Sequence, residues 1–98
     1  MLLISLFLAC GEHKHDVEGL ADIAELEADI ENGETLYISE CSGCHGADAG
    51  GTGSAPDLVG EDLGHFVDAI QNGEGSMPAF PSLTNQDIAD IYGYVQSL

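Results

Sequence analysis

Ninety-eight residues are enough for one domain. Eighteen Asp and Glu stand against one basic residue, Lys14, a formal charge of −17, which excludes nucleic acid as a partner because neutralising phosphates takes Lys and Arg. The same balance argues against electrostatic attachment to anionic lipid and leaves a self-repelling surface that attracts a basic partner and responds to salt.

In chain order, residues 2–9 (Leu-Leu-Ile-Ser-Leu-Phe-Leu-Ala) form an apolar run too short to cross a bilayer as a helix. With small Ala9 before Cys10, the run fits the apolar core of an export signal. Leu6-Phe7-Leu8-Ala9-Cys10 is similar to bacterial lipoprotein signals, in which the Cys receives lipid and becomes the mature N-terminus. No Lys or Arg precedes the run, and Phe7 stands where such signals usually carry Leu, so a plain export signal with Cys10 incidental stays open. The expectation is a signal over residues 1–10, lipidation at Cys10, and no other attachment to a membrane.

Residues 11–30 are acidic and lack proline, with Val17, Leu20, Ile23, Ala24 and Ile30 near helical spacing. They read as a partly helical tether, and His13 and His15 around Lys14 as solvated polar residues. The folded domain is expected over residues 31–98. It starts with a short helix over 31–40 that carries Leu36 and Tyr37. Residues 46–60 hold five glycines and Pro56, which makes a loop. A helix over about 61–72 places Leu63, Phe66, Val67 and Ile70 on one face and stops at Asn72-Gly73. Residues 73–83 form a second loop around Met77-Pro78 and Phe80-Pro81. Thr84 caps the last helix with Asp87 three residues on, and Ile88, Ile91, Tyr92, Val95 and Leu98 recur at helical spacing. No strand-like alternation of useful length occurs. The fold class is all-α.

The chemistry is carried by Cys41-Ser42-Gly43-Cys44-His45, the C-x-x-C-H pattern of c-type haem attachment. Two thiols three positions apart on a helical turn reach the two vinyl groups on one edge of a porphyrin, and the next residue offers its imidazole to the iron. Small Ser42 and Gly43 let the backbone lie close to the ring. A zinc site needs about four ligands, usually from a second Cys or His pair, and none lies downstream of Cys41 and Cys44. A thioredoxin-like pair needs a preceding strand and a βαβ setting, also absent. One covalent haem c is therefore expected, and its apolar body helps a core that is small for a stable domain. Met77, in Gly75-Ser76-Met77-Pro78-Ala79-Phe80, is the leading candidate for the second iron ligand, with His65 the only other imidazole in the domain.

From about residue 31 to 98 the chain resembles the class I cytochromes c, the small single-haem type with His and Met ligands. The likeness rests on Gly33-x-x-Leu36-Tyr37, the Cys41–Gly46 segment, Gly53-x-x-Pro56-x-Leu58, Met77-Pro78-x-Phe80 and Asp90-Ile91-x-x-Tyr94-Val95, in that order. The resemblance implies three main helices and long loops around the haem. It implies a Pro56 carbonyl that accepts from the His45 Nδ1–H, leaving Nε2 for iron. It also implies Leu58 and Phe80 in the haem pocket, and first and last helices that cross closely at Gly33 and Gly93, with Tyr37 and Tyr94 around them. The stretch from His45 to Met77 is short for the family, and the family's Lys-rich docking ring is missing.

Six-coordinate iron leaves no position for substrate, so the expected function is not enzymatic. It is transfer of single electrons between redox proteins outside the cytoplasm, by a monomer whose partners present a basic face. The alternative is a haem-bearing electron-transfer subunit of an oxidase, dehydrogenase or peroxidase. Thioether ligation and apolar burial favour ferrous iron, and surface charge is screened over about 8 Å in physiological salt, so the midpoint potential is expected to be positive.

Overall fold

The computed structural model describes residues 17–51 and 57–98. Cys10, His13, Lys14, His15 and Pro56, and with them the export signal, the lipidation site and the proposed Pro56 carbonyl, lie outside the described residues. Among the described residues there are five helices and no strand: α1 (Leu20–Glu25), α2 (Ile30–Glu40), α3 (Ser42–His45), α4 (Leu63–Asn72) and α5 (Asn85–Gln96). The all-α expectation holds.

Each main helix starts where its sequence supplies an oxygen for the unsatisfied N–H groups of the first turn. Asp29 accepts from the Asn32 N–H at the head of α2, and Asp62 from the His65 N–H at the head of α4. Thr84 and Asp87 form the expected reciprocal box at α5: the Asp87 N–H donates to Thr84 Oγ1 at 3.0 Å and the Thr84 N–H to Asp87 Oδ2 at 3.1 Å. At its end α4 runs into Gly73, whose φ of 82° would strain any residue with a side chain.

The core gathers Ile23, Tyr37, Phe66, Val67, Ile70, Ile88, Ile91 and Val95, one stripe from each of α1, α2, α4 and α5. The closest contact is between α2 and α5. A methyl group on Gly33 would overlap the Asp90 carbonyl and come within 3.0 Å of Tyr94 Cβ, and one on Gly93 would lie 2.5 Å from Ala28 Cβ. Tyr37 and Tyr94 flank the crossing with ring centroids 5.7 Å apart. The close crossing implied by the resemblance is thus present, and it takes a bare backbone at both positions.

The described part of the segment read as a partly helical tether is helical in α1 and packs against the domain. Ile23 of α1 is buried against α4 and α5, and Gln71 on α4 both accepts from the Glu18 N–H at 2.9 Å and donates to its carbonyl at 2.7 Å. The physical reason lies in Val17, Leu20 and Ile23, whose threefold spacing makes an apolar stripe just long enough to cover the α4–α5 seam.

Candidate functional site

Four functional side chains chosen from the sequence meet in one cleft of about 430 Å³, which Cys41, Cys44, His45 and Met77 line together. Leu58, Phe66, Ala69, Ile70, Pro78 and Phe80 supply apolar wall. The site is assembled from both sides. Cys41, Cys44 and His45 come from the turn that joins α2 to α3, and Met77 from the loop after α4.

Local chemistry fixes each side. The Cys41 N–H closes α2 onto the Tyr37 carbonyl at 2.8 Å, and the Cys44 and His45 N–H groups both reach back to the Cys41 carbonyl at 3.2 and 3.0 Å. Cys41 is half-buried and Cys44 exposed, while His45 is buried. Tyr37, fully buried, donates its hydroxyl to the Gly46 carbonyl at 2.5 Å, and the Gly51 N–H donates to the His45 carbonyl at 2.9 Å. The chain that carries the imidazole is therefore held from both flanks. On the other side Glu74 and Met77 pair through two backbone hydrogen bonds of 3.1 and 2.8 Å, and the Phe80 N–H donates to the Ile70 carbonyl at 2.7 Å, which lays the loop along α4.

These residues fit a planar covalent group better than a bare metal ion or a dithiol redox pair. Among the described residues, the one cluster of three ligand atoms close enough to share an ion is Glu61, Asp62 and His65; Cys41, Cys44 and His45 do not converge on a point. They lie instead along the wall of an apolar slot. Burial pushes the Cys41 thiol up to about 11, helped by the charges of Glu40 and Cys44, whereas a thiol built for disulfide exchange needs its pKa lowered. Thiols for thioether attachment, an imidazole and a facing thioether are the donor set of a haem with His and Met ligands.

Glu40, Glu61, His65 and Glu74 also line the cleft; the sequence offered His65 only as the other imidazole and gave the three acids no role. His65 Nδ1 pairs with Glu61 Oε2, and its Nε2 lies 3.1 Å from each oxygen of Glu74. The Glu61–His65 spacing of four on a helix start was a signal open to reading. The Glu74 partner gave none, because it arrives only when the loop folds back across α4.

Comparison with known proteins agrees with this geometry. Residues 28–95 match the family model described as cytochrome C oxidase, cbb3-type, subunit III. The chain is 37% identical over 93 residues to a cytochrome c6 of Pyropia yezoensis, covering 83% of this chain and 81% of that protein. It is 37% identical over 79 residues to cytochrome c-551 of Bacillus subtilis, covering 74% of this chain and 68% of that protein. A cytochrome c6 of Bumilleriopsis filiformis is 37% identical over 82 residues, covering 71% and 92% of the two chains.

Proposed function

This chain belongs to the cytochrome c family as a small class I member with one covalent haem c, and on that premise we propose that Cys41 and Cys44 would hold the haem as thioethers and that His45 and Met77 would ligate its iron. It carries single electrons between redox partners and is not an enzyme. The observation that carries the assignment is that Cys41, Cys44 and buried His45, from the α2–α3 turn, line one largely apolar cleft with Met77, from the loop after α4.

Bound in this cleft, a haem would supply the chemistry, one-electron redox at its iron. The protein's residues set when it does so. The Tyr37 hydroxyl and the Gly51 N–H hold the backbone around His45, so the imidazole is oriented before any change of charge. Leu58, Phe66, Ile70 and Phe80 keep water from the cleft wall, which disfavours the extra positive charge of the oxidised state. Pro56 is proposed as acceptor for the His45 Nδ1–H, fixing which nitrogen faces the metal.

The test is a visible spectrum of the protein expressed with a working haem-attachment apparatus. The expected result is the reduced α-band of thioether-bound haem together with a weak far-red band from sulfur ligation in the ferric form. Met77→Ala removes the far-red band and keeps the colour. A colourless chain, or a far-red band that survives Met77→Ala, overturns the assignment.

The proposal extends to place. The carrier works outside the cytoplasm, and a lipid on Cys10 tethers it through the residues ahead of Val17. Replacing Cys10 with Ser moves it to the soluble fraction; unchanged membrane association refutes the anchor. Partners with a basic face suit its charge of −17. The family match to an oxidase subunit favours a second reading, a haem-bearing subunit of such a complex, which co-purification with a large enzyme identifies.

A further inference from the structure

We propose that His65 couples proton binding to electron transfer: the carrier takes up a proton at this imidazole when it accepts an electron and releases it when the electron leaves. The inference rests on the haem assignment above.

His65 sits in the first turn of α4 and lines the same cleft as Cys41, Cys44, His45 and Met77. Among the described residues there is no Lys or Arg, and His45 is the only other imidazole. With His45 committed to iron, His65 is the one described side chain that can gain positive charge near neutral pH. The groups facing it are all acidic or neutral. Glu61 and Asp62 stand before α4, with ligand atoms that lie with that of His65 inside 4.8 Å. Glu74 comes from the loop after α4, at 3.1 Å. Glu40 lines the cleft from the end of α2, and Tyr92 of α5 donates its hydroxyl to the Glu61 carbonyl at 2.7 Å. Asp68 follows one turn along α4. The hydrogen bond to Glu74, against a smaller opposing effect of burial and with the charges of Glu61 and Glu74 adding, holds the imidazole above its ordinary value of 6.5.

The coupling follows from charge balance. An electron from the donor protein makes the cleft one unit more negative, and a nearby negative charge strengthens an imidazole's hold on a proton. The proton comes from water to the ring nitrogen that lacks one. On oxidation the electron passes to the acceptor and the proton returns to water. Reciprocity requires the converse: a protonated His65 favours the reduced state. The midpoint potential therefore falls as pH rises between the His65 pKa of the oxidised form and that of the reduced form. Below and above that window it is level. Proton binding about tenfold tighter in the reduced form corresponds to about 59 mV between the two levels.

The experiment uses the full haem-loaded chain at fixed ionic strength. Proton NMR follows the His65 ring against pH in the ferric and in the ferrous protein, and a redox titration follows the midpoint over the same range. The expected result is a higher His65 pKa in the ferrous form, a sloping potential in the wild type and a level one in His65→Gln. Equal pKa values in the two states overturn the proposal. So does a slope that survives His65→Gln, which gives the proton to another group. The NMR comparison needs only the wild type and so stands even if the variant fails to load haem. Failure of the haem assignment is seen separately, as missing colour or a missing far-red band before pH is varied.

Discussion

Asp90 is the residue where the fold holds a charge most tightly. Its carboxylate is buried in the α2–α5 crossing and accepts from the Asp29 N–H at 2.7 Å, from Asn32 Nδ2 at 2.8 Å and from Gln86 Nε2 at 2.7 Å. Burial alone would raise its pKa, but the three hydrogen bonds together outweigh that and hold it below the ordinary 3.8. A carboxylate with a depressed folded-state pKa adds stability above its unfolded value, and that stability is lost as pH falls through the folded value. Asp90→Asn turns one accepting oxygen into a donor facing donors, so a loss of about 2–3 kcal/mol is expected in denaturant unfolding at neutral pH. The deficit relative to wild type should shrink as pH is lowered past 3.8. A deficit independent of pH would show that shape rather than charge matters at this site. Tyr37→Phe is a milder change. Burial, with smaller contributions from Cys41, Asp48 and Tyr94, pushes the Tyr37 hydroxyl up to about 12, so it is a neutral donor at every working pH. Its loss leaves the Gly46 carbonyl one remaining partner, the Ala49 N–H at 3.2 Å, and should cost about 1 kcal/mol.

Between elements, the decisive contact is backbone on backbone. Ala is the better helix former than Gly by about 1 kcal/mol, so Gly33→Ala would stabilise α2 in isolation. In the fold its methyl lands on the Asp90 carbonyl, and no rotamer can relieve that. The expected result is net destabilisation of about 1–3 kcal/mol in a chemical unfolding curve, with Gly93→Ala milder because its nearest neighbour is the Ala28 methyl. Equal or higher stability of Gly33→Ala would mean that the helices can separate without loss. The last two helices were legible because apolar spacing agrees with an end signal in each, Asn72-Gly73 at the stop of α4 and Thr84 with Asp87 at the start of α5, whereas the caps Asp29 and Asp62 showed themselves only in the fold. The cleft was legible because the Cys pair and Met77 carry their chemistry in their residue types. What was not legible depends on tertiary placement. The helical spacing around α1 was legible but its packing was not, because Ile23 shows its role only once α4 and α5 form a seam. Asp90 is one acid among eighteen until the crossing buries it. The His65–Glu74 pair spans nine residues of helix and loop, a separation no periodic pattern marks.

The whole molecule acts through its field. A charge of −17 on 98 residues repels a second copy of the chain and draws in a basic partner from a distance set by the ionic strength. The Debye length shrinks from about 30 Å at 0.01 M salt to about 8 Å at 0.15 M. Electron transfer to a redox protein with a basic face should therefore slow on this rise in salt, by about tenfold or more, while a partner with an acidic face should speed up. Glu40, Glu61 and Glu74 line the cleft, so their charges act on a partner that docks there at shorter range than the rest of the surface does. Glu40→Gln should lower the low-salt rate and flatten its salt dependence. Asp22→Asn, on the exposed side of α1 and outside the cleft lining, removes the same charge with a smaller effect. Stopped-flow rates against ionic strength separate the two cases. If both variants lose the same fraction of rate, only net charge steers the encounter; if Glu40→Gln loses more, the partner docks at the cleft.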